Sequence, residues 1–244
     1  MFAVIFVVQP KKERWSDYLD LAQYLKPRLE AIDGFIDNER FESKRTQGRL
    51  LSLSTWRDEK AVVRWRTQGE HHDVQKQGRF EIFENYHLRV GEITHDTEPP
   101  AGLTIQEQRL DETAIGSAKV ATIAEFLPQA GSDGAAMADT LPARLGLDAH
   151  HDGLVDADLF ESIYSPGKLL LLGFWRDADA ADRWKPDHAP AAGKVRHREM
   201  RHRQVWHREA RRRQVRIIRD YGMHDRGEAP QYYRAVAPRQ MAGE

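Results

Sequence analysis

Trp65 and His71 stand six residues apart, with His72 directly after them. An indole offers a flat apolar surface to an aromatic ring, and an imidazole exchanges a proton near neutral pH. The pair therefore suits a site that holds an aromatic molecule and moves one of its protons. His72 is an equal alternative, because the helix phase is not fixed by the spacing. The structural alternative makes Trp65 a core residue and His71 a surface one. Glu42 precedes Ser43 on an expected strand, where burial would raise a carboxylate toward a working base and solvation at the strand end would leave it inert. Trp56 ends a run of alternating apolar and small polar residues, so packing competes with substrate contact there, and Trp184 repeats Trp65 in the second half of the chain.

A second cluster lies between Lys194 and Arg219, with eleven Lys or Arg against two Glu. His197, His202 and His207 step by five, whereas zinc ligands on a helix usually stand at i and i+4, so no metal site is expected. Charge of this density could contact phosphates, but no recognition motif accompanies it. A solvated helix face pairing with the acidic remainder of the chain is the expectation, and nucleic acid is not an expected partner. On a helical projection Val195, Glu199, His202, Trp206 and Ala210 share one face. His202 and Trp206 are thus the second-half candidates for a pocket.

These residues are positioned by a duplicated unit. At an offset of 119, residues 34–65 align with residues 153–184 without a gap, and 15 of 32 positions are identical, where chance would give about two. The shared residues include Phe41-Glu42-Ser43 with Phe160-Glu161-Ser162 and Trp56-Arg57-Asp58 with Trp175-Arg176-Asp177. In the first copy the apolar run from Phe2 to Gln9 reads as a strand. Trp15, Tyr18, Ala22, Leu25, Leu29 and Ile32 form an amphipathic helix stripe bent by Pro27. Two strands joined near Gly48 follow, then a helix capped by Asp58, continued helix to Phe83, and a strand from Tyr86 to Ile93.

The order βαββαβ predicts an α+β fold of two ferredoxin-like domains, each sheet covered by helices on one face only. Two copies in one chain can cover each other's open faces, forming an intramolecular dimeric α+β barrel. The expected boundaries are 1–94 and 117–222 for the domains, 95–116 for a Pro- and Gly-containing linker, and 223–244 for a tail.

Composition bounds what such a fold can do. The chain has 244 residues, no cysteine and a net charge of -1, which excludes a globally basic polyanion binder, a disulfide framework, a thiolate metal site and a Cys nucleophile. Its longest apolar run is too short for a membrane span and lacks the marks of a signal peptide, so a cytoplasmic protein with no membrane partner is expected.

The pattern Gly34-Phe35, Glu42-Ser43, Gly48 to Asp58, Ala61, Trp65-Arg66, Glu70-His71 and Gly78-Arg79 resembles the antibiotic biosynthesis monooxygenase domain of the dimeric α+β barrel superfamily. The second copy fits from Gly153 to Trp184 and again from Ile217 to Met223, so the two copies cover most of the chain. The resemblance implies oxygenation of aromatic, often phenolic, substrates with no metal or flavin in some members, and heme degradation in others. It puts His71 and Trp65 in catalytic positions, and Trp56, Glu42, His72, His202, Trp206 and Trp184 remain substrate-binding candidates from the reading of the residues themselves. The expected cofactor is none, and the expected partner is a small aromatic molecule, with further homo-oligomerisation left open. The heme branch, by resemblance, uses a first-strand Asn, which residues 2–9 and 119–127 lack. A non-catalytic binding module is the alternative from another class.

Overall fold

The computed structural model describes residues 1–128, 152–184 and 207–230. Their elements run β1 (Phe2–Pro10), α1 (Trp15–Glu30), β2 (Phe35–Ser43), β3 (Leu50–Trp56), α2 (Glu59–Arg66), α3 (Gly69–Gln77) and β4 (Phe83–Asp96). A π-helical turn over Gly78–Ile82 joins α3 to β4. The second half supplies β5 (Val120–Pro128), β6 (Leu154–Ser162), β7 (Leu169–Trp175), α4 (Ala178–Arg183) and β8 (His207–Gly222). Among the described residues no helix is long and apolar enough to cross a membrane.

The eight strands close into one antiparallel barrel in the order β1-β3-β2-β6-β7-β5-β8-β4. Read by halves, this is β4-β1-β3-β2 beside β8-β5-β7-β6, the same order twice. The halves meet edge to edge, β2 against β6 and β4 against β8, which leaves no strand edge unpaired. The faces left bare by the helices turn inward and form one core from both halves: Ile5, Phe41, Leu53, Ile123, Phe160 and Ile217 are all at most 1–3% exposed. Truncating a phenylalanine in such a packed interior costs about 3–5 kcal/mol.

The repeated motif Trp-Arg-Asp builds the same corner in both halves. The Trp56 and Trp175 rings are fully buried, Arg57 and Arg176 pair back to Asp33 and Asp152, and Asp58 and Asp177 cap their helices by accepting from the amides of Ala61 and Ala180. Gly34 and Gly153 take φ of +89° and +85°, and a Cβ on either would stand within 2.7 Å of the Ala61 or Ala180 methyl. The identities that reveal the duplication are therefore instructions for a turn and a helix start.

One expectation is corrected. The run from Arg208 to Arg219 is strand, not helix: it lies in β8, paired to β4 and β5. Its arginines are spread over both faces, with Arg211 held by Asp96, Arg213 by Glu125 and Arg216 by Glu92. Local charge density suggested a solvated helix, but the acidic partners come from distant strands. The segment expected to be a linker lies against the barrel. β4 continues to Asp96, Leu103 and Ile105 pack on the barrel core, and the fully buried Glu92 accepts from the amides of Gln108 and Arg109.

Candidate active site

On the outer face of the first-half sheet, under α1 to α3, lies a cavity of about 200 Å³. Its floor follows from strand register. Arg40, Ser52, Phe6, Leu88 and Tyr221 stand side by side across β2, β3, β1, β4 and β8, and Asn38, Ser54, Val4 and Val90 form the next row. Same-face residues are two apart on each strand, so the floor is polar over β2 and β3 and apolar over β1 and β4. The helices roof it with Tyr18, Ala22 and Leu25 from α1 and with Val62, Trp65 and His71 from α2 and α3.

Trp65 and His71 are brought together as expected. Their rings stack with centroids 4.0 Å apart and planes 16° from parallel. The break between α2 and α3 at Thr67 and Gln68 folds α3 back so that residues six apart can meet. His71 Nδ1 lies 3.0 Å from the Trp65 carbonyl oxygen and Nε2 lies 3.3 Å from the Gln75 amide nitrogen. Nδ1–H therefore donates to the carbonyl and Nε2 accepts from Gln75. Burial pushes the imidazole down to about 4, against a weaker upward pull from the Trp65 carbonyl. At neutral pH His71 is uncharged, with its one lone pair already in a hydrogen bond.

The other expected site residues scatter. His72 points to solvent and is not in the cavity lining. Trp56 is fully buried beside Phe35, its Nε1–H donating to Ser54 Oγ. It thus lies on the same face as Ser54, beyond the end of the floor, packed among Leu29, Ala61 and Val62. Trp184 packs on Trp175 in the second half, and Glu42 is exposed at the β2–β6 seam, away from the cavity. His202 and Trp206 lie outside the described residues. An axial heme ligand needs a free imidazole nitrogen, which His71 would offer at Nε2 only with the Gln75 amide moved away.

Several lining residues were not anticipated. Arg79 is 1% exposed and donates to the Tyr86 hydroxyl, which also accepts from Arg226. Arg40 and Tyr18 are buried at the opposite, β2 end. The signal for the floor was present in the repeat, in its differences: Asn38, Arg40, Ser52 and Ser54 face Ala157, Leu159, Leu171 and Gly173 at the offset of 119. Identities marked the shared scaffold, and substitutions marked the half with the site.

Several known proteins are similar to this chain. The family profile described as antibiotic biosynthesis monooxygenase matches residues 1–77. A relative from Pyricularia oryzae (strain 70-15), named jasmonate monooxygenase ABM, is 37% identical over 238 residues, covering 96% of this chain and 98% of the relative. Among solved structures, an anthrone oxidase-like protein aligns over 94% of this chain and 96% of its own, with 11% identity and a TM-score of 0.35. An antibiotic biosynthesis monooxygenase aligns over 37% of this chain and 95% of its own, with 14% identity and a TM-score of 0.34. Full-length identity to the Pyricularia relative, together with the profile match over the half that carries the cavity, makes this chain a member of the antibiotic biosynthesis monooxygenase family.

Proposed function

We propose that the chain is a cofactor-independent monooxygenase acting on a small aromatic, phenolic molecule held in the first-half cavity. The duplicated strand order supports reading the scaffold as a tandem of ferredoxin-like units in which a covalent pseudo-dimer keeps one working pocket. The observation that carries the reading is the stacked Trp65–His71 pair in a largely apolar cavity. Oxygenation without an auxiliary reductant needs a substrate that supplies all the electrons. A benzylic CH2 flanked by phenolic rings does so, because CH2 plus O2 gives a carbonyl plus water. Loss of a proton from the substrate makes it electron-rich enough to meet O2.

Trp65 supplies the face on which the ring lies, and His71 takes the proton at Nε2 once substrate displaces the Gln75 amide. An imidazole near 4 is a weak base at neutral pH. An anion forming in the same cavity raises it toward the working range. The Pyricularia relative's name supports a second substrate, jasmonate. Hydroxylation of a C–H bond consumes two electrons beyond those of the substrate, so that reading requires an external two-electron donor such as NADH.

Oxygen uptake with an anthrone-like phenol, without added metal or flavin, tests the first reading. Wild type should consume one O2 per ketone formed. His71→Gln should lose 10²- to 10⁴-fold in rate per folded molecule, whereas Trp65→Phe should raise KM and keep more of the turnover. Uptake by His71→Gln equal to wild type would remove His71 from the mechanism, and uptake only with jasmonate and NADH would favour the second substrate.

A further inference from the structure

We infer that the ligand of this cavity carries a carboxylate, seated on Arg40 and the serine hydroxyls of the β2–β3 floor, with its apolar body over β1 and β4. This deepens the reading of the cavity as the ligand site and rests on it.

Arg40 is 7% exposed, yet its hydrogen-bond partners are the hydroxyls of Tyr164, at 3.1 Å, and Tyr18. Burial pushes the Tyr18 hydroxyl up, so it remains a neutral phenol. Among the described residues no carboxylate pairs with Arg40, and its buried Nε has no hydrogen-bond partner. Other arginines of the barrel strands differ: the buried Arg213 and the half-buried Arg89, Arg211 and Arg216 each hold an acidic side chain. A buried charge without a counter-charge is costly unless something compensates it.

Folding does not demand a cation at this place. The repeat puts Leu159 at the equivalent position of β6, opposite Leu171 where Arg40 faces Ser52, and Leu159 is 4% exposed in an apolar cluster. The first half therefore carries a charge where the same scaffold packs a methyl-bearing side chain.

The neighbouring groups are donors as well. Ser52 Oγ accepts from Asn38 Nδ2 at 3.0 Å, and Ser54 Oγ accepts from Trp56 Nε1 at 2.9 Å. Each hydroxyl thus has its proton left to give, and neither donates to another group among the described residues. On the β2–β3 floor the Arg40 guanidinium and two O–H donors face a cavity whose lining contains no Asp or Glu, while its other arginines, Arg66, Arg79 and Arg226, come from α2, the turn before β4 and the residues after β8. That set matches one carboxylate, which accepts through two oxygens and carries a single charge. Valine, phenylalanine and leucine on β1 and β4 then cover an apolar body.

Calorimetry with 1-naphthoate, its methyl ester and 1-naphthol tests the inference. Wild type should bind naphthoate at least tenfold more tightly than the ester or the naphthol. Arg40→Gln and Arg40→Leu, the latter copying Leu159, should lose at least tenfold in naphthoate affinity while ester affinity stays within twofold, and Arg40→Lys should recover part of the loss. No naphthoate binding by wild type, equal binding of acid and ester, or parallel loss of both ligands in both Arg40 variants would overturn it. The outcomes separate from those for turnover: acid-selective binding with no oxygen uptake from any phenol removes the oxygenase reading alone. Uptake from a neutral phenol with unselective binding removes the carboxylate alone.

Discussion

His71 is held by three contacts at once: the Trp65 ring on its face, the Trp65 carbonyl at Nδ1 and the Gln75 amide at Nε2. The Trp65 carbonyl pulls weakly toward the protonated form, but burial penalises the charge more strongly and keeps the ring neutral. This has a consequence for stability. An unfolded histidine protonates near 6.5, whereas the folded one resists until about 4. The stability from a neutral His71 is therefore fully present above pH 6.5 and is lost as pH falls toward 4, amounting to about 3 kcal/mol at most. Urea denaturation at pH 7.5 and 4.5 should show wild type losing roughly 2–3 kcal/mol more than His71→Gln between the two conditions. Parallel losses would mean that His71 titrates normally in the folded protein. The Trp65–His71 pair was legible from residue type and spacing, but the solvent exposure of His72 was not, since helix phase depends on where α3 begins.

At the scale of elements, the sequence read well where a local pattern and its burial agreed. The strand Phe2–Pro10 is a β-branched and aromatic run, α1 shows its apolar stripe, and Asp58 caps α2 as its position predicts. It read poorly where the partner of a charge was remote. In β8, Val215 and Ile217 stand on either side of Arg216, a short period-two signal that the density of positive charge concealed. Arg213 lies 2% exposed inside the barrel, donating to Thr55 Oγ1 and Glu125. Replacing it by Met leaves Glu125 with Lys168 as its cation and strips Thr55 of its donor. Loss of one partner from a buried ion pair should cost roughly 3 kcal/mol, the low end of the usual range because Lys168 remains. A chemical denaturation midpoint unchanged in Arg213→Met, with an unchanged slope, would show that β8 is not anchored by this pair.

At the scale of the whole molecule, one duplicated scaffold has been given two different surfaces. The Trp-Arg-Asp corner, the positive-φ glycine and the strand order are common to both halves. The polar floor is confined to the first, and Leu159, Leu171 and Trp184 join an apolar cluster in the second. The second half thus supplies the partner sheet that closes the barrel core. The fold was legible because repeated identities are numerous; the polar floor of the cavity was legible only in the four positions where the copies disagree. The central claim is that substrate is oxygenated in the first-half cavity, and Leu25, a half-buried lining residue on α1, allows it to be blocked from the roof without touching the barrel. The decisive measurement is oxygen uptake with an anthrone-like phenol, normalised to folded protein by circular dichroism, for wild type and Leu25→Trp. The account predicts turnover by wild type and at least a tenfold fall in kcat/KM when the indole fills the cavity. Equal kcat/KM in the two proteins would place the chemistry elsewhere and contradict it.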